Sequence, residues 1–286
     1  MLKPVLTSLV YSVWMAGLLV LTVPAGEKAR GVTQKKVVYK KVGKIELHMD
    51  IFTPAQQNSK KVRPCIVFFH GGGWNGGAPG QFYPQCQYLA ERGMVAISVE
   101  YRLRKTHGVT PKECLQDAKS AIRWVRKHAA ELGIDPSKLA AGGGSAGGHL
   151  AAATAVCEGF DDPQDDLSIS CVPNALVLLN PVIDNSKEGF GYRVVKEYWR
   201  KFSPLHNIRK GVPPTIFLIG TKDRLIPVKT ANDFKARIEA VGGRCDLVFY
   251  PEMGHGFFNK PEYREKTLQE IDRFLCSLGY LQPQTP

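Results

Sequence analysis

The chain has 286 residues and carries 38 lysines and arginines against 26 aspartates and glutamates, a formal net charge of +12. Hydrophobic residues make up 44% and charged residues 22%, ordinary values that exclude a largely disordered or low-complexity chain. The basic residues are scattered and no nucleic-acid-binding signature accompanies them, so nucleic acid is not an expected partner.

Residues 1–25 have the features of an export signal. Lys3 precedes an uncharged stretch, residues 4–26, and Val23-Pro24-Ala25 resembles the small-x-small site that signal peptidase cuts. An uncleaved membrane anchor is the alternative, because the apolar stretch is close to the length of a spanning helix. We therefore expect a secreted or periplasmic protein, with no stable membrane association once the leader is cleaved, and a membrane-anchored one if it is not.

Residues 26–286 are predicted to form a single domain. Residues 36–42 and 45–52 are rich in β-branched side chains and flank Gly43-Lys44, which predicts a hairpin. Short, continuous apolar runs follow, and these are typical of strands buried on both faces of a parallel sheet. They lie at residues 65–69, 94–99, 175–179, 215–219 and 247–250, and residues 138–141 are a further predicted strand.

Helical periods alternate with these strands. Residues 112–132, 228–241 and 265–278 repeat apolar side chains at helical spacing, and Thr110 with Glu113 forms a capping box for the first of them. The alternation predicts a mostly parallel, doubly wound α/β sheet with an N-terminal antiparallel hairpin.

The longest irregular stretch, residues 181–213, is predicted to be a lid-like or specificity insertion after the sixth strand of the parallel region. It is rich in aromatic and basic side chains, and residues 193–202 have the pattern of a short helix. A packed excursion with a basic outer face is the alternative.

Two further groups of residues leave their roles open. Most of the seven cysteines are expected to be buried thiols, with Cys157 and Cys171 the first pair to test for a disulfide. The acidic residues within 161–166 could bind calcium, but no EF-hand pattern is present and a solvated loop is the preferred interpretation.

Gly143, Ser145 and Gly147 fit the G-x-S-x-G pattern in the context that it requires, after the strand 138–141 and before an alanine-rich helix, 147–156. A strand that turns sharply into a helix strains the serine, and glycines two residues away leave room for the turn. The turn also aims the hydroxyl at a helix N-terminus, which favours a developing anion. Ser145 is therefore the predicted nucleophile, with a glycine-rich turn that merely contains a serine as the alternative.

The sequence His-Gly-Gly-Gly-Trp at residues 70–74 follows the strand 65–69, where hydrolases with this motif carry an oxyanion-hole loop. Trp74 is expected to line the substrate pocket and His70 to orient the loop. The predicted oxyanion-hole donors are the N–H groups of Gly72, Gly73 and Ala146.

A serine nucleophile needs a base, and the base needs a carboxylate that fixes its tautomer. Asp223 and His255 each follow a predicted strand, at the edge where open α/β sheets bind ligands. They are the predicted orienting acid and base. Asp184 also follows a strand and is the alternative acid, whereas His149, one helical turn after Ser145, is expected to pack.

These motifs together resemble the α/β-hydrolase superfamily, in particular the hormone-sensitive-lipase-like carboxylesterases and related secreted acetyl or feruloyl esterases. The resemblance spans about residues 35–278 and implies a catalytic triad of Ser145, Asp223 and His255 that hydrolyses small carboxylic esters. Two features depart from that group. Gly144 stands where the lipase-like members usually have Asp, and their long N-terminal helical cap has no counterpart, so residues 181–213 are the expected cap.

The predicted function is hydrolysis of small esters, among them acetyl or feruloyl esters of polysaccharides, through an acyl-enzyme and without a metal or organic cofactor. The alternatives are a serine peptidase or amidase on the same fold and a non-catalytic ligand-binding module. The binding module is disfavoured because all three triad residues are present.

Overall fold

The computed structural model describes Met1, residues 31–55 and residues 62–284. The predicted leader, Met1 aside, lies outside the described residues. Among the helices in the described ranges, none combines the length and the apolar character that crossing a membrane requires.

In the described residues eight strands form one sheet in the order β1-β2-β4-β3-β5-β6-β7-β8. β1 pairs antiparallel with β2, and β2 with β4, whereas all pairs from β4 to β8 are parallel. The predicted α/β class and its N-terminal hairpin are therefore confirmed. The strands are β1 (Val32–Val42), β2 (Ile45–Pro54), β3 (Arg63–Phe69), β4 (Val95–Val99), β5 (Ile134–Gly144), β6 (Ala175–Leu179), β7 (Thr215–Gly220) and β8 (Cys245–Tyr250).

Helices cover both faces of the sheet. The helices α1 (Tyr83–Glu91), α2 (Arg104–His107), α3 (Pro111–Lys127), α4 (Ala129–Leu132), α5 (Ala146–Val156), α6 (Tyr192–Val195), α7 (Trp199–Phe202), α8 (Val228–Ala240) and α9 (Pro261–Ser277) follow in chain order. α1 and α9 contribute side chains to one core cluster, and α3, α5 and α8 to the other. The capping box at the start of α3 is confirmed. α1 and the 3-10 turn before it, Pro79–Phe82, were not predicted from the sequence.

The side chains of β3 explain why its apolar run is continuous. Cys65, Val67 and Phe69 pack in the core cluster on one face, while Ile66 and Phe68 pack in the cluster on the other. Because successive side chains of a strand point to opposite faces, a strand with helices above and below must be apolar at every position. This strand ends at the glycine-rich loop, so it fixes where that loop begins.

The insertion follows β6, which is the sixth strand in chain order and the fourth of those that pair in parallel. The predicted helix over residues 193–202 is instead two single-turn helices, α6 and α7. Phe202 at the end of α7 is buried, and its carbonyl accepts a hydrogen bond from His149 Nε2 at 2.9 Å. The insertion is therefore anchored to the helix that follows Ser145.

Two of the open expectations have structural outcomes. All seven cysteines are free thiols, so Cys157 and Cys171 are not bridged in this structure. The acidic segment is an ion-pair network rather than a solvated loop, because Arg123 pairs with Asp161 and Asp165 at 2.6 and 2.9 Å. Within the described ranges no cluster of three or more His, Cys, Asp or Glu side chains could hold a metal ion.

The burial of His149 predicts a pH-dependent stability. Desolvation lowers the pKa of this ring to about 3, against about 6.5 in an unfolded chain. Between these two pKa values the histidine is protonated in the unfolded chain and neutral in the folded protein. The free energy of unfolding therefore decreases as the pH falls from about 6.5 towards 3. We expect His149→Gln, which keeps a donor for the Phe202 carbonyl, to reduce the loss between about pH 7 and pH 5 by on the order of 1–2 kcal/mol. Urea unfolding of both proteins at the two pH values measures this, and an unchanged pH dependence would contradict it.

Candidate active site

Ser145 lies between the last residue of β5 and the first residue of α5. Its backbone has φ 54° and ψ −119°, a conformation that residues other than glycine rarely adopt. Two backbone hydrogen bonds of 3.0 Å hold it there: its N–H donates to the Leu179 carbonyl, and its own carbonyl accepts from the Val182 N–H. The end of β6 therefore holds the serine in its strained turn.

Close approach of neighbouring chains explains the glycines around this turn. A Cβ on Gly143 or on Gly147 would collide with the carbonyl oxygen of Phe69, at the end of β3. A Cβ on Gly144 would collide with the ring of Phe258, two residues beyond Gly256. The residue that replaces the usual Asp of the lipase-like group is thus the one that lets Phe258 pack against the turn.

The structure brings the three predicted triad residues together. His255 Nε2 is 2.8 Å from Ser145 Oγ, and His255 Nδ1 is 2.8 Å from Asp223 Oδ2. The other carboxylate oxygen of Asp223 accepts hydrogen bonds from the N–H groups of Leu225 and Ile226, at 2.9 and 3.0 Å. The carboxylate is fully buried, whereas the His255 side chain is 22% exposed. In this row His255 can take the proton of Ser145, and the buried carboxylate of Asp223 holds the His255 ring in the orientation that this transfer needs.

The predicted oxyanion donors belong to two segments, the glycine-rich loop after β3 and the start of α5. Among the described residues, no protein group accepts a hydrogen bond from the N–H of Gly72 or Gly73. Ala146 is the first residue of α5. The N–H of Gly71, in contrast, donates to Gln81 Oε1 at 2.6 Å. Gly72 has φ 121°, and a Cβ there would collide with the Gly76 carbonyl, so the loop depends on glycine at this position.

His70 and Trp74 both lie in the core. The ring of His70 stacks on Tyr101 and its Nδ1 donates to the Gly71 carbonyl at 2.8 Å, while burial lowers its pKa to about 4. This geometry fits the predicted loop-orienting role. Trp74 is 1% exposed and packs against His149, Phe190 and Phe202. Its ring therefore packs against the insertion. Because almost none of its surface is exposed, Trp74 does not line an open pocket as predicted.

Asp184, the alternative acid, has other partners. Its Oδ1 accepts a hydrogen bond from the Ser186 N–H at 2.8 Å and lies 3.8 Å from His206 Nδ1. His149 is fully buried, as expected for a packing residue.

Three amide side chains that sequence reasoning missed surround the histidine loop. Asn180 Oδ1 accepts a hydrogen bond from the Gly256 N–H at 3.3 Å, and Asn259 Nδ2 donates to the Gly256 carbonyl at 3.0 Å. Gln81 Nε2 donates to Asn259 Oδ1 at 3.2 Å. Asn180 directly follows a buried strand, a signal that was available from the sequence, whereas nothing in the sequence pointed to Gln81 or Asn259.

A family model described as BD-FAE matches residues 49–238. Among solved structures, the apo form of Thermogutta terrifontis esterase 2 is 45% identical, with a TM-score of 0.84, and the match covers 88% of this chain and 97% of that chain. Other structures of that esterase are described as phosphorylated by paraoxon, propionate bound and butyrate bound.

Curated relatives with lower sequence identity are also esterases by description. Esterase LipC of Mycobacterium tuberculosis is 31% identical over 220 residues, which are 69% of this chain and 54% of that protein. The probable isoprenylcysteine alpha-carbonyl methylesterase ICMEL1 of Arabidopsis thaliana is 28% identical over 72% of this chain and 48% of that protein. The chain thus spans about half the length of the curated relatives it matches.

Proposed function

Because this chain belongs to the BD-FAE family of α/β-hydrolases, we propose that it is a serine carboxylic-ester hydrolase that works through an acyl-enzyme. The observation that carries the proposal is the hydrogen-bonded row from Asp223 through His255 to Ser145, with both contacts at 2.8 Å. The row lies beside a glycine-rich loop whose N–H groups can hold an anion.

In the first half-reaction His255 Nε2 takes the proton of Ser145 Oγ while the oxygen attacks the carbonyl carbon of the ester. The carbonyl oxygen becomes an anion, which the N–H groups of Gly72, Gly73 and Ala146 stabilise together with the N-terminus of α5. The intermediate then collapses, His255 gives its proton to the departing alkoxide, and the alcohol leaves.

The second half-reaction repeats these steps with water. His255 takes a proton from water, the hydroxide attacks the acyl carbon, and the bond to Ser145 Oγ breaks as the serine regains its proton. Throughout, Asp223 stabilises the imidazolium without being protonated. The carboxylic acid is released and the free enzyme returns.

The acyl group we propose is short, of the size of acetate, propionate or butyrate. Support comes from the solved esterase, two structures of which, at 44% and 43% identity, are described as propionate bound and butyrate bound. Further support comes from the burial of Trp74 and the anchoring of the insertion through Phe202. Both side chains pack on His149, one helical turn after Ser145, where they would limit the room for a long acyl chain.

An ester carried by an acidic polysaccharide is the proposed natural substrate class, with acetyl, the shorter of the two predicted acyl groups, as the part transferred to Ser145 and the polysaccharide hydroxyl as the leaving alcohol. In support of it, residues 192–202 of the insertion expose four basic side chains, and the whole chain has a net charge of +12. They are Arg193, Lys196, Arg200 and Lys201. A basic surface near the site would attract an anionic polymer, with an on-rate that falls as salt is added.

Export is also part of the proposal, and it rests on the leader at residues 1–25 alone. Expression of the full chain with sequencing of the mature N-terminus tests it. A new N-terminus at Gly26 in the exported fraction is the expected result.

Hydrolysis of p-nitrophenyl esters of increasing acyl length, beside the matching p-nitroanilides, tests the activity. We expect kcat/KM to be highest for acetate to butyrate esters, with anilides far slower. Paraoxon is expected to stop hydrolysis and to leave one diethyl phosphoryl group on Ser145, detectable by peptide mass spectrometry. A folded protein that cleaves anilides and not esters would instead indicate an amidase.

Replacing Gly144 is expected to disturb the reaction through Phe258. The ring of Phe258 is buried, lies 5.8 Å from Phe82 in a stacked arrangement and comes three residues after His255. A Cβ in Gly144→Ala would push this ring, and with it the histidine loop, out of place. We expect kcat to fall by about tenfold or more, because small misplacements are costly in catalysis, and stability to fall by about 1–3 kcal/mol. Ester hydrolysis and thermal melting measure both, and the double variant with Phe258→Leu should recover part of kcat. Full activity in Gly144→Ala would contradict this account.

A further inference from the structure

A row of three hydrogen bonds links the oxyanion loop to the histidine loop. The Gly71 N–H donates to Gln81 Oε1 at 2.6 Å, Gln81 Nε2 donates to Asn259 Oδ1 at 3.2 Å, and Asn259 Nδ2 donates to the Gly256 carbonyl at 3.0 Å. Gln81 and Asn259 are 178 residues apart in the chain. The row therefore joins segments that no local element connects.

The two ends of the row fix its direction. A backbone N–H can only donate, so Gln81 must present its oxygen to Gly71 and its NH₂ to Asn259. A backbone carbonyl can only accept, so Asn259 must present its NH₂ to Gly256 and its oxygen to Gln81. The backbone groups at the two ends thus determine both amide orientations. In these orientations the NH₂ of Gln81 faces the oxygen of Asn259, as the middle bond needs.

Both ends of the row are adjacent to reacting groups. A Cβ on Gly71 would lie 3.4 Å from Ser145 Cβ, and Gly71 precedes Gly72, a proposed oxyanion donor. Gly256 follows His255 directly. Since Gln81 occupies the Gly71 N–H, this N–H is withdrawn from the oxyanion hole. The bond holds the peptide between His70 and Gly71, which directly precedes the peptide that carries the Gly72 N–H.

We propose that Gln81 and Asn259 are positioning residues, which hold the oxyanion loop and the histidine loop at one fixed separation during ester hydrolysis. This inference rests on the proposed function. Neither side chain needs to touch the reacting atoms. Their role is to keep the donors of Gly72 and Gly73 aligned with the Ser145 and His255 pair in the transition state, so their loss should lower kcat more than it raises KM.

The test uses the full chain and four variants: Gln81→Leu, Asn259→Leu, the double variant and Gln87→Leu. Gln87 is the matched control because it is an exposed glutamine of α1 whose side chain, among the described residues, bonds to Glu91 alone. For each protein, kcat and KM are measured with p-nitrophenyl butyrate, per site titrated by paraoxon, and thermal melting reports folding. Titration removes the contribution of unfolded or inactive protein from kcat.

We expect Gln81→Leu to lower kcat by about tenfold or more with KM within about threefold, and the control to stay within about twofold. The double variant should be no worse than Gln81→Leu within about twofold, because both substitutions break the same row. A kcat for Gln81→Leu within about twofold of the parent would overturn the inference, as would losses that multiply in the double variant. Ser145→Ala is assayed beside these proteins without paraoxon titration. If it hydrolyses the ester as fast as the parent, the proposed function fails and the positioning role is overturned with it.

Discussion

Replacing Ser145 by alanine is expected to lower ester hydrolysis by about 10⁴-fold or more, because no other group can form the acyl-enzyme. The remaining rate would come from the oxyanion donors and substrate binding, which act without the nucleophile. Folding should be little affected, since among the described residues the hydroxyl makes one hydrogen bond, to His255 Nε2, and a single bond contributes about 1 kcal/mol. The assay is kcat/KM for a short-chain p-nitrophenyl ester, with melting temperature measured in parallel.

Ser168→Ala provides the matched control, because Ser168 is exposed and its hydroxyl, within the part of the chain that the structure describes, bonds to Asp166 alone. It should retain the parent's rate. If Ser145→Ala keeps more than about a tenth of the parent's activity while folded, the reaction does not pass through this serine and the acyl-enzyme mechanism is wrong.

Asp223→Asn is expected to lower kcat by about 10⁴-fold, the size of loss seen when a triad carboxylate becomes an amide. The asparagine oxygen would still accept from the N–H groups of Leu225 and Ile226, so its NH₂ would face His255 Nδ1. That nitrogen would then have to act as acceptor, which places the ring proton on Nε2. A histidine with a proton on Nε2 cannot take one from Ser145, and the base is lost with little change in shape.

The same substitution at Asp184 separates the two candidate acids. Asp184→Asn should stay within about threefold of the parent, because Asp184 bonds to the Ser186 N–H and faces His206 rather than His255. A large loss of kcat in Asp184→Asn and a small one in Asp223→Asn would reverse the assignment. Steady-state kinetics of both variants on one ester suffices.

The sequence predicted those features that depend on neighbours along the chain. The strands β3, β4, β6 and β7 contain short apolar runs, and Thr110 with Glu113 gives the start of α3, because burial on two faces and capping leave local patterns. The motif around Ser145 was recognisable for the same reason. A strand, a serine between glycines and a helix occur there within one short segment.

Where local pattern and tertiary contact disagree, the contact decides. Trp74 belongs to a recognisable motif, yet its ring lies in the core because Phe190 and Phe202 of the insertion pack on it. The acidic segment at residues 161–166 has the composition of a solvated loop, but Arg123 and Lys40 neutralise it. Composition reports how polar a segment is and does not report which partner it meets.

The sequence alone determined the fold class, the order of the strands along the chain and the identity of Ser145, Asp223 and His255 as candidates. It could do so because the strand-end positions of these residues follow from periodicity, and the edge of a parallel sheet gathers them. Only the tertiary structure decided that His255 meets Asp223 rather than Asp184, that Phe258 fills the space beside Gly144, and that Gln81 reaches Asn259. Each of these contacts joins residues more than 30 positions apart. The spacing of apolar residues along the chain indicates which side chains are buried, but it does not indicate which distant side chain each of them contacts.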